Sequence, residues 1–80
     1  MDTTEAIALY RRINDDRTLS IADVRIMFEP IQRLNKTEIE ALSRAVGYTP
    51  CRTRKATLDL LRNNLESIKL NQHRVDRIRG

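Results

Sequence analysis

From Thr53 to Arg79 the chain reads TRKATLDLLRNNLESIKLNQHRVDRIR, with no glycine and no proline. Leu58, Leu61, Leu65 and Ile68 follow one another at steps of three, four and three, and Gln72 and Val75 continue the same beat. That spacing predicts one long amphipathic helix with a narrow apolar seam. At ~1.5 Å per residue, about 26 residues make a rod of ~39 Å. A compact domain of this length is only ~30 Å across. The distal part, from about Asn71, is therefore expected to reach past the body, where it frays, lies in solvent or meets a partner.

The 80 residues suffice for one domain, 1–80. So small a domain buries only about 60% of its unfolded surface, and modest stability is expected. One cysteine excludes an internal disulfide, and one histidine leaves too few ligands for a Cys/His zinc site. The unpaired thiol favours a reducing compartment. The opening MDTTEAIALYRR carries acids early and no long apolar run, so no secretory signal is expected. No stretch approaches the ~20 apolar residues of a membrane span. A cytoplasmic location follows as the expectation.

The upstream segments read as shorter helices. The first is predicted over Thr4–Asn14, capped by Thr3 or Thr4, with Ile7, Tyr10 and Ile13 on one face. Asn14-Asp15-Asp16-Arg17 reads as a loop. Ser20 with Asp23 opens a second helix, and Leu19 and Val24 hold the staple positions. Ile21, Val24, Met27, Phe28, Ile31 and Leu34 keep helical phase through Pro30, which predicts a kink or a break there. Thr37 and Glu40 fit a capping box for a third helix with Ile39, Leu42 and Val46 inward. Gly47 and Tyr48 fit a Schellman ending, and Pro50 bars continuation. Thr53 is the expected cap of the long helix. The predicted fold is all-α: a small bundle of three short helices, the second kinked or broken at Pro30, packed on a long C-terminal helix.

Charge is unevenly placed. Residues 1–50 hold seven Arg/Lys against eight Asp/Glu, and residues 51–80 hold eight against three, within a net +4. Such a bias marks either a surface for anions or cations complementing helix C-termini. The stripe Lys55, Arg62, Lys69 is interleaved by Asp59 and Glu66, which predicts a solvent face laced with ion pairs. Arg74, Arg77 and Arg79 have only Asp76 nearby.

Residues 37–65, TEIEALSRAVGYTPCRTRKATLDLLRNNL, run from a helix ending in Val-Gly-aromatic, through a basic loop, into Arg-Lys-x-x-Leu-x-x-Leu. This third of the chain resembles the helix–extended-loop–helix modules of the SAP and Rho N-terminal type. The resemblance implies binding of DNA or RNA through the loop and the start of the second helix, with Arg52, Arg54 and Lys55 on phosphates. The alternative is a helical protein-interaction module, self-associating through the final helix. For that reading Leu60, Leu70 and Ile78 are the surplus apolar residues that form the partner interface.

Other constellations are poorer. Cys51 sits near a helix start among positive neighbours but has no second thiol to resolve it. His73 stands alone, and Asp15-Asp16 lacks the ligand spacing of a calcium loop. Tyr10, Phe28 and Tyr48 are too few for a stacking platform. With no phosphate loop and no nucleophile–base set, the expectation is a non-enzymatic module with no cofactor, no metal and no membrane partner.

Overall fold

The structure, a computed structural model, describes the backbone of residues 1–79 and the side chains of residues 1–70. It is all-helical: α1 Thr3–Asp15, α2 Ile21–Gln32, α3 Lys36–Ala45 and α4 Arg54–Arg79, with no strand among the described residues. The chain measures 43 × 23 × 19 Å with a radius of gyration of 12.9 Å. Helices α2 and α3 both pack on α4, and α1 touches all three others.

The core draws on every helix. Ala6, Tyr10 and Ile13 come from α1, Val24, Phe28 and Ile31 from α2, and Ile39 and Leu42 from α3. Leu58, Leu61 and Leu65 enter from α4. These last are the first three residues of the predicted seam, and Ile68 is half-buried.

The caps show where local chemistry decides. α1 begins one residue before the predicted start, because the Asp2 carboxylate takes the capping role assigned to Thr3 or Thr4. It accepts from the Glu5 N–H at 2.7 Å. An ionised acceptor outbids a hydroxyl at a helix N-terminus. α2 opens with the Ser20–Asp23 capping box, closed in both directions at 3.1 and 3.0 Å. Pro30 lies inside α2, which ends two residues later at Gln32.

α3 corrects the Thr37–Glu40 frame. Its box is Asn35–Glu38, with bonds of 2.9 and 3.2 Å. Both frames satisfy the N-terminal donors. The earlier one also makes Leu34 and Ile39, both buried, a hydrophobic staple across the cap.

The end of α3 is a Schellman motif. Gly47 has φ +97, Tyr48 N–H donates to Ser43 O at 2.9 Å, and Gly47 N–H donates to Arg44 O at 3.1 Å. Thr53 caps α4, its Oγ1 accepting from Ala56 N–H at 3.0 Å.

Candidate anion-binding loop

The loop from Tyr48 to Thr53 is held at both ends by buried hydroxyls. Ser43 Oγ donates to Tyr48 O at 3.0 Å. Thr57 Oγ1 accepts from Cys51 N–H at 3.0 Å while donating to Thr53 O at 3.0 Å. Ser43 and Thr57 are both buried. These two bonds fix the backbone on either side of Thr49 and Pro50, so Arg52 leaves a positioned segment rather than a slack one. Neither residue stands out in the sequence as functional. The signal was available in phase, since Thr57 precedes Leu61 by one helical step on the seam face.

The three cations proposed for phosphate contact do not share one environment. Arg52 and Lys55 are exposed, and neither makes an ion pair among the described residues. Arg54 is half-buried and turned inward. Its Nε donates to Leu34 O at 2.7 Å and its Nη2 to Gln32 O. It thus closes the carbonyl end of α2, where the helix dipole is negative. Lys55 and Arg54 border a cleft of about 230 Å3, together with Gln32, Leu58, Asp59 and Arg62. Asp59 is its one acid, and it already pairs with Arg62 at 3.0 Å.

Lys69 departs from the expected solvent stripe. It is 0% exposed, and its Nζ donates to Asp16 O and, at 3.5 Å, to Asn14 O. It closes α1 as Arg54 closes α2. Arg11, on α1, closes α3 in turn, with Nη2 donating to Ala45 O at 3.3 Å. Each of the three shorter helices therefore ends against a cation from another helix. Part of the basic excess is internal capping, which lowers the charge available to an outside anion. Of the two acids expected to interleave the stripe, Asp59 binds Arg62 within α4, and Glu66 binds Arg25 of α2 at 2.9 Å.

Near the Lys69 contact, Asp16 accepts from the Thr18 hydroxyl and backbone N–H, at 2.6 and 2.9 Å. These bonds hold its carboxyl below its ordinary pKa, helped by Lys69 and Arg12. The Tyr10 hydroxyl donates to Leu61 O at 3.3 Å, and burial pushes its pKa well up, with Tyr48 beside it adding to the rise.

Of the proposed partner interface, Leu70 is 52% exposed and Leu60 is half-buried. Ile78 lies outside the described side chains, as do Gln72, His73, Arg74, Val75, Arg77 and Arg79. Cys51 is an exposed free thiol. Among the described residues no cluster of three His, Cys, Asp or Glu is placed to hold a metal, and no helix is long and apolar enough to cross a membrane. No protein-family model, curated protein or solved structure matches this chain.

Proposed function

We propose that the chain is a non-enzymatic binding module that takes a polyanion, nucleic acid in the first instance, on the loop before α4 and the first turn of that helix. The observation that carries this reading is the positioned loop: Arg52 and Lys55 are exposed and make no ion pair among the described residues, and Lys55 borders a cleft whose one acid is already paired. The resemblance of residues 37–65 to SAP-type modules points the same way. Arg52 and Lys55 are the phosphate contacts, and Arg54 is a strut that holds α2 against their base. In this arrangement α4 is the spine, with three shorter helices packed on it and the second bent at Pro30. The location is cytoplasmic, in keeping with the exposed free thiol.

Two phosphate contacts give weak affinity and a shallow salt dependence, a slope of about −2 in log K against log salt for duplex DNA. Fluorescence anisotropy with labelled duplex and single strands at low salt tests this. Binding should vanish in Arg52→Glu/Lys55→Glu. Binding that survives the double reversal discards the reading.

A second reading is favoured by Leu70. It is 52% exposed immediately after Lys69, the last described residue buried in the body. Here the far part of α4 carries a helical partner, a second copy of the chain, across Leu60, Leu70 and Ile78. Sedimentation equilibrium separates the two: a monomer at high concentration removes the self-association.

A further inference from the structure

A second cleft, about 450 Å3, opens at the junction of α1 with the end of α3, away from the α2–α4 junction. Tyr10, Arg11 and Asn14 line it from α1, and Arg44, Gly47 and Tyr48 line it from α3 and its Schellman turn. No Asp or Glu is among the lining residues. The volume suits a small molecule, since ligand sites of this kind run from about 300 to 1,000 Å3.

A helix C-terminus is ordinarily hostile to anions, but this one is satisfied internally. Its last four carbonyls, Leu42, Ser43, Arg44 and Ala45, accept from Val46, Tyr48 and Gly47 N–H and from Arg11 Nη2 respectively. Arg11 uses one of its five guanidinium N–H groups in that bond. Arg44, itself exposed, meets the half-buried Glu40 at a long 3.5 Å, four residues back on the same helix. Such a pair contributes little and yields to a better acceptor. Two guanidinium forks with donors to spare thus stand over a cleft floored by a buried tyrosine and walled by Tyr48.

We propose that this cleft binds a small organic anion, a carboxylate or phosphate ester, with its charged group between Arg11 and Arg44 and its organic part against Tyr48. The site is independent of the loop reading, because Arg52 and Lys55 take no part in it.

The test is a pair of NMR titrations of the full chain, one with pyrophosphate and one with citrate, which separate a phosphate ligand from a carboxylate. Saturable shifts are expected at the Gly47 and Tyr48 amides and at the Arg11 and Arg44 Nε–H. Arg44→Gln, an exposed change that leaves the fold intact, should weaken binding about tenfold or more. Arg52→Glu/Lys55→Glu should leave it unchanged. The proposal is overturned by the absence of saturable shifts up to about 10 mM of both probes. It is equally overturned by shifts centred on residues 51–55 rather than on Gly47 and Tyr48, or by affinity that Arg44→Gln does not alter.

Discussion

Arg54 and Lys69 stand on the same side of α4, and each closes the carbonyl end of a different helix, Arg54 that of α2 and Lys69 that of α1. The two cations bracket the buried leucines Leu58, Leu61 and Leu65, so α4 grips the bundle by polar contacts at both ends of its apolar seam. Leaving a buried carbonyl without a donor costs about 1–3 kcal/mol.

Replacing Lys69 by Met keeps the length of the side chain and removes its donors. The expected result is a loss of about 1–3 kcal/mol in urea denaturation, with faster hydrogen exchange in the last turn of α1. If Lys69→Met instead stabilised the protein, desolvation of the ammonium would outweigh its carbonyl contacts. Arg54→Lys should lose about 1 kcal/mol or more, since an ammonium lacks the planar fork that reaches Gln32 O and Leu34 O together. A substitution that left the denaturation midpoint in place would remove the strut from the account.

Gly47 isolates a backbone effect from a steric one. Its φ is +97, yet an added Cβ would meet no atom within 4 Å. Any penalty for a side chain there is conformational. Gly47→Ala is expected to cost about 1 kcal/mol, and Gly47→Asn less, because asparagine tolerates the left-handed region better. Equal losses in the two variants, read from denaturation midpoints, would contradict this.

The apolar seam of α4 is legible as far as Ile68 because its residues announce themselves by spacing, and the Gly47 ending because glycine suits that φ best. The capping cations were harder to read. A lysine is counted as a surface residue until its phase is tested, and Lys69 lies one helical step beyond Leu65. A strict seven-residue stripe also drifts by about 20° per heptad around a straight helix. Lys55, Arg62 and Lys69 therefore do not share an environment: they are exposed, half-buried and buried in turn. Arg54 falls squarely on the seam, seven positions before Leu61, which is the reason it points inward while Arg52 and Lys55 do not. The α3 cap lies two residues before the expected one because two capping boxes overlap, and the observed frame is the one that puts Leu34 and Ile39, both buried in the core, at the staple positions.

Tyr10 gives the fold an alkaline limit. Burial is the main cause of its raised pKa, so the folded state holds the phenol neutral where the unfolded chain ionises it. The folded state then binds more protons, and stability falls as pH rises from the ordinary value of 10.0 towards the folded one. Tyr10→Phe removes the titration along with the bond to Leu61 O. Its denaturation midpoint should lie below that of the native chain at about pH 8 and converge with it at about pH 11. Parallel pH curves for the two proteins would show that Tyr10 does not set the limit.

Leu61 and Leu70 present the same side chain on the same helix with opposite surroundings, 0% and 52% exposed. Leu61→Ala empties a fully buried position of the core and should cost about 2–5 kcal/mol in any oligomeric state. Leu70→Ala removes an isopropyl group about half exposed to solvent, and in a monomer it should change stability by less than about 0.5 kcal/mol. Only a second chain covering Leu70 makes that substitution expensive, and the cost would then rise with protein concentration, because folding and assembly are linked. Measuring both variants at two concentrations a hundredfold apart therefore checks the core and the self-association at once. A concentration-independent, near-zero effect at Leu70 leaves α4 as a one-sided helix and removes the homodimer.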